Sequence, residues 1–150
     1  MSHTTRLKSV VIRDVTALRQ AAAELKNMGV SCALEENQAP RMYSVAQANE
    51  CAFVLRLQNG EYDVGFEKQK DGTYVPVFDE FMGYVANEIG AGDSCPMPNT
   101  PEGKAQHQIG KFFQQYSKHA AINVAVMQGY TVESALTEKD GTINLVLAGM

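Results

Sequence analysis

The chain has 150 residues, 45% of them hydrophobic and 20% charged, which is apolar material enough for one compact domain with a core and gives no sign of a second. Its formal net charge of −4 argues against a phosphate backbone as the main partner, because nucleic-acid-binding domains usually carry a basic excess. No stretch approaches the roughly 18 apolar residues of a membrane span, and the opening MSHTTRLKSVVIRD lacks the apolar run of a signal peptide.

In chain order, Arg6 to Ile12 reads as a first strand and Asp14 as an N-cap. Val15, Leu18, Ala22 and Leu25 recur at helical spacing on one face, with Arg19 and Lys26 elsewhere, and Gly29 supplies the stop. Val30 to Glu35 is a candidate second strand. Asn37 to Asn49, with Pro40, reads as a loop that leaves room for a helical turn around Ser44 to Ala48. Cys51 to Leu57 alternates as a third strand, and Asn59-Gly60 is a two-residue hairpin signal. Glu61 to Phe78 then reads as a hairpin turning at Asp71-Gly72. Tyr62, Val64 and Phe66 alternate with Asp63, Gly65 and Glu67, which places Asp63 and Glu67 on the solvent face. The same Lys-Asp-Gly-Thr turn recurs at Asp140-Gly141, between Tyr130 to Lys139 and Thr142 to Leu147.

Asp79 can cap a short helix from Glu80 to Ile89, which Gly90 ends. Gly90 to Gly103, GAGDSCPMPNTPEG, is too rich in glycine and proline for regular structure and is either a functional lid or a mobile insertion. The last helix is expected over Lys104 to Gln128. Ile109, Phe113, Tyr116, Ala120, Val124 and Met127 form one stripe, and Lys104, Lys111 and Lys118 form another opposite it. From Ala120 the segment AAINVAVM is apolar all round, with Ile122 and Val126 on the lysine side, so it must be covered by the chain's own domain or by another chain. These elements predict an α+β fold: an antiparallel sheet of five or six strands, two main helices on one face, and a ferredoxin-like core with a C-terminal hairpin.

Candidate chemistry is sparse. Tyr116 and His119, three residues apart, could face a common site as an acid/base pair, with Asp63 as a carboxylate partner. The alternative for each is structural: a packed Tyr-His pair and a solvated strand charge. His3, His107 and His119 are far apart, no Cys-x-x-Cys is present, and Cys32, Cys51 and Cys95 are odd in number and widely spaced, so no metal or other cofactor is expected and the thiols are read as reduced and silent. The run GAGDS lacks the Gly-Lys-Ser/Thr ending of a phosphate loop. The lysine stripe is either a solvated face or a contact for phosphate or an acidic partner.

The opening MSH before a strand and an Asp-capped helix, the central YDVGF and DGTY, and the closing QQYSKH, QGYTVE and DGTINLVL resemble the hypothetical chloroplast reading frame thirty-five family. That family comprises uncharacterised small proteins of cyanobacteria and algal plastids, with relatives in phages. The resemblance covers most of the chain and brings no activity or catalytic residue. The family's usual tryptophan pair after the central hairpin reads Glu80-Phe81 here, and its Arg-Arg-Trp ending reads Ala148-Gly149-Met150.

The leading reading is a non-catalytic module that binds another protein or a second copy of itself through Lys104, Lys111, Lys118, Ile122 and Val126, in the cytoplasm of its host or an equivalent plastid stroma. The alternative is an enzyme or small-ligand binder built on Tyr116, His119 and Asp63, with the 90–103 loop as lid. Convergence of those three groups on one concave pocket would separate the two.

Overall fold

The structure, a computed structural model, describes residues 4–43, 49–93 and 95–149. Ser44 to Ala48, weighed for a helical turn, lie outside the described residues, as does His3. The chain runs β1 (Thr4–Arg6), α1 (Val15–Asn27), β2 (Cys32–Gln38), β3 (Cys51–Leu57), β4 (Val64–Lys68), β5 (Tyr74–Asp79), α2 (Tyr84–Ile89), α3 (Pro101–Gln108), α4 (Gly110–Met127), β6 (Thr131–Thr137) and β7 (Ile143–Ala148).

Five strands form one antiparallel sheet in the order β1-β5-β4-β3-β2, and β6 pairs with β7 in a separate hairpin, so the α+β class holds. β1 and β2 run parallel at opposite edges, joined by α1, and the meander β3-β4-β5 fills the space between them. The strand-helix-strand opening is therefore present. The sheet departs from a ferredoxin-like core in that wide separation and in α4, which leads out to the hairpin instead of to another strand of the sheet.

Local chemistry explains the elements. Asp14 Oδ1 accepts the Ala17 N–H at 3.0 Å, α1 buries Leu18, Ala22 and Leu25, and Gly29 stands just past its end at φ +94°. The first strand is shorter than expected: the Val10 N–H turns back to Leu7 O, and Ile12 rejoins the sheet only as a bridge to Tyr74. Both Asp-Gly turns are three-residue hairpin loops. Gly72 N–H donates to Gln69 O and Gly141 N–H to Glu138 O, with the two glycines at φ +84° and +92°. Asp71 and Asp140 do not adopt positive φ. Their carboxylates instead accept the N–H groups of Thr73 and Thr142. Asn59-Gly60 is not a two-residue turn: neither residue has positive φ, and β3 and β4 pair only from Leu55 and Val64 inward. The carboxylate of Asp63 takes the Leu57 N–H that strand pairing would otherwise use.

Asp79 is the last residue of β5, and it caps a 3-10 turn over Phe81–Gly83 ahead of α2 by accepting the Phe81 N–H at 2.8 Å. The long final helix is two helices. Thr100 Oγ1 caps α3 through Gly103 N–H, Pro101 opens it, and the chain breaks at Ile109 (φ −115°, ψ 22°). The break seats Ile109 in the core and lays Gly110 against Ala91, where a Cβ would stand 2.5 Å from the Ala91 Cβ. It also corrects the expected stripe. Phe112, Gln115, Tyr116 and Ala125 are buried, whereas Val124 and Met127 are exposed.

The sheet is covered on both faces. Leu18 and Leu25 of α1, with Phe112 and Tyr116 of α4, pack with Phe53, Leu55, Phe66 and Phe78 in one large cluster. On the other face a strap of residues 39–43 carries Met42 into a smaller cluster with Cys51, Val54 and Val77. Pro40 sits over Gly65, where a Cβ would lie 2.9 Å from the Pro40 Cγ and 2.6 Å from the Cys51 Sγ, so only glycine admits the strap this close.

Candidate functional site

The residues expected to converge on a pocket do not. Tyr116 is buried on α4, and its hydroxyl oxygen accepts the N–H groups of Arg13 (2.9 Å) and Asp14 (3.2 Å), which ties α4 to the start of α1. His119 lies 3.3 Å from Glu24 Oε1 on α1, and Lys118 Nζ reaches the same oxygen at 3.3 Å. Asn123 donates to both Asp14 Oδ2 and Gln20 Oε1 at 3.0 Å. These side chains form the polar seam between α1 and α4, on the helical face of the sheet. Asp63 belongs to the other face.

Asp63 is fully buried, which corrects its expected place on a solvated face. Its carboxylate accepts from Arg41 N–H (2.9 Å), Nε (3.0 Å) and Nη2 (2.9 Å), from Arg56 Nη1 (2.8 Å) and from Leu57 N–H (3.0 Å), while its own N–H donates to Arg41 O. Burial alone would raise its pKa. The bonds from Arg41, Leu57 and Arg56 outweigh burial and hold it below the ordinary carboxylate value. Arg56 also reaches Glu35 and Ala39 O, so the two arginines stitch the strap to β2, β3 and β4. Asp79 repeats the device at the far end of the strap, accepting Tyr43 N–H at 3.0 Å. This constellation is an anchor: every oxygen of Asp63 is already engaged by the protein, which leaves no group free for acid/base work. Arg41 and Arg56 were not singled out from the sequence, and the pairing of an Asp in a strand with arginines from a loop and a neighbouring strand leaves no spacing signal.

No three His, Cys, Asp or Glu side chains gather as a metal-ligand set among the described residues. Cys32 and Cys51 are buried, and burial raises both thiols, Cys51 to about 11 with help from nearby Glu67, which keeps them protonated and unreactive. Cys95 is half-buried.

The lysines expected to share one stripe are separated by the break at Ile109. Lys104 is exposed on α3, Lys111 is half-buried on α4, and Lys118 is engaged with Glu24. Ile122 is half-covered and Val126 is 56% exposed. What stands out is the appendage that follows. Of eleven exposed large hydrophobic residues among the described residues, seven fall between Val124 and Leu147, including Met127 at 88%, Leu136 at 64% and Val146 at 50%. No residue of β6 or β7 is buried. The register pairs Ala135 with Leu145 and Thr137 with Ile143 on one face of the hairpin, where Ala135, Leu145 and Ile143 are half-buried. Leu136 and Val146 alternate onto the opposite face, which is open. Residues 120–132 and 142–149 contain no charged side chain, and the charges of the appendage are Glu133 on β6 and Glu138, Lys139 and Asp140 at the turn, all exposed.

Residues 24–146 match the family of proteins of unknown function designated DUF1257, and the chain belongs to that family. No curated protein and no solved structure matches it. No helix among the described residues is long and apolar enough to cross a membrane.

Proposed function

We propose that this member of the family is a protein-interaction module that docks another polypeptide on the β6–β7 hairpin and the adjoining end of α4. The observation that carries the reading is the concentration of exposed, uncharged apolar side chains in this one appendage, Leu136, Val146, Val126 and Met127 foremost. A two-stranded hairpin is marginal by itself in water, and the outer face and both strand edges of this one are open, so an added strand or helix would bury what is now wet. A second copy of the chain is one occupant that fits, since two identical edges can pair about a two-fold axis. Within the same proposal, Lys104 and Lys111 are assigned to the rim, Val126 to the contact and Ile122 to its border. A cytoplasmic setting is supported by the odd, widely spaced cysteine set. The narrower resemblance to the hypothetical chloroplast reading frame thirty-five family belongs to this proposal and brings no activity to it.

The test is Leu136→Lys/Val146→Lys, compared with the wild type by light scattering over a concentration series and by capture from extract of the native cell. The variant is expected to stay folded by circular dichroism and to lose the association. A wild type that is monomeric throughout, together with a variant that captures the same proteins as the wild type, would refute the proposal.

A further inference from the structure

A cleft of about 260 Å³ opens where the loop after α2, the α3–α4 junction and the turn of the C-terminal hairpin meet. It is separate from the open face of the hairpin. Its walls are fixed. Ala91 N–H donates to His107 O at 2.9 Å, the His107 ring Nε2 lies 3.1 Å from Cys95 O, and the Cys95 thiol donates to Asp140 O at 3.3 Å. Three lining positions are glycines, and at Gly103 and Gly110 a side chain would displace a wall, while at Gly141 it would meet only the flexible end of Gln114. A Cβ on Gly110 would stand 2.5 Å from the Ala91 Cβ, one on Gly103 2.6 Å from the Pro98 Cβ, and one on Gly141 2.5 Å from the Gln114 Nε2. The cavity is therefore preformed, as ligand sites usually are.

The lining chemistry narrows what could enter. Pro96, Pro98 and Phe113 offer flat apolar surfaces. The carboxamides of Gln106 and Gln114 also line the cleft, and neither makes a hydrogen bond among the described residues, so each presents a donor and an acceptor side by side. In neutral His107, a ring nitrogen that bonds a carbonyl must carry the proton, which leaves Nδ1 as an acceptor. Among the described residues, no Lys or Arg lines the cleft. Its single acidic residue, Asp140, directs its carboxylate to Thr142 N–H. An anionic group would find no Lys or Arg to pair with here, only the His107 imidazole, and burying a charge unpaired is strongly unfavourable.

We infer that this cleft binds a small, uncharged, planar heterocycle that presents adjacent hydrogen-bond donor and acceptor groups, such as a lactam or nucleobase edge. The ring lies against the prolines and Phe113, and its edge pairs with the carboxamide of Gln114 or Gln106. The volume suits one such ring system and is below that of pockets for drug-sized molecules, roughly 300–1,000 Å³.

Two-dimensional amide NMR of the whole chain, titrated with nicotinamide, uracil, adenine, uridine and uridine monophosphate, tests this. At least one neutral probe is expected to give saturable shifts confined to residues 95–98, 103–114 and 139–142, with a Kd of roughly a millimolar for so few atoms. Gln114→Leu should weaken binding about tenfold, the effect of losing one well-made polar contact of ~1.4 kcal/mol, while leaving the rest of the spectrum in place. Gln106→Leu serves if that variant does not fold. Uridine monophosphate should bind no more tightly than uridine. The inference is overturned if no neutral probe saturates, if shifts fall elsewhere, if neither glutamine variant weakens binding, or if the phosphate tightens it about tenfold.

Discussion

Replacing Asp63 by Asn tests whether one buried carboxylate holds the strap on the second face of the sheet. Asp63 accepts five hydrogen bonds, two from the backbone N–H groups of Arg41 and Leu57 and three from guanidinium nitrogens. An amide keeps one oxygen and sets an NH2 group against donors, so at least one buried N–H loses its acceptor, at about 1–3 kcal/mol. The guanidinium side is discounted for solvent screening, because Arg41 is 46% and Arg56 22% exposed. The expected loss is about 3 kcal/mol, at the lower end of the ~3–5 kcal/mol for breaking a buried pair. That is a large fraction of the ~5–15 kcal/mol that holds a domain together. Urea unfolding reads it directly, and the melting temperature should fall by roughly 6–12 °C for a chain of this size. Arg41→Met should cost less, since that side chain is half in water. A loss below about 1 kcal/mol for Asp63→Asn would refute the anchoring role, because the orphaned donors alone exceed it.

The same carboxyl sets an acid limit. Its folded pKa is depressed below the ordinary 3.8, so its contribution to stability is complete above that value and is lost as pH falls through the lower, folded one; acid titration of the wild type followed by circular dichroism should show a transition there that Asp63→Asn lacks. Tyr116→Phe should cost about 1–3 kcal/mol in urea unfolding by leaving the Arg13 and Asp14 N–H groups without their acceptor, and a neutral result would show that water substitutes for the hydroxyl. Gly72→Val and Gly141→Val should each lower the melting temperature by more than a surface substitution does, because both sites have positive φ; melts indistinguishable from wild type for both would refute it. Ile122→Lys should destabilise the chain while Val126→Lys does not, since the first is half-covered and the second open, and circular dichroism melts would expose the reverse order.

Where local chemistry decides an element, the sequence could be read. The Asp14 cap, the Leu18-Ala22-Leu25 face, the stop at Gly29, the bounds of β3 and both Asp-Gly turns stand as their residue patterns predict. Reading failed where distant segments decide. Alternation shows which residues share a face of β4 but not what lies over each face, and the strap that buries Asp63 has no periodicity of its own. Helical spacing runs unbroken through Ile109, and the close approach of Gly110 to Ala91 that accompanies the break joins segments distant in the chain. The apolar tail of α4 was legible as a segment needing cover. That its own hairpin would leave Leu136 and Val146 in water depended on strand register.

The seam between α1 and α4 has a consequence for assembly. Arg13 and Tyr116 are 103 residues apart and Asp14 and Asn123 are 109 apart, whereas β4 pairs on both sides, with β3 and β5, at short separation in the chain. Loop closure over such spans is slow compared with meander formation. During synthesis, α1 leaves the ribosome long before α4 exists, and at about 5–20 residues per second it waits several seconds with Leu18, Ala21 and Leu25 lacking the cover that α4 completes. The meander can form meanwhile and shield part of that face. The nascent chain is therefore most vulnerable to mispairing before Asn123 has emerged, and a truncation ending ahead of α4 should be held by chaperones where the full chain is released.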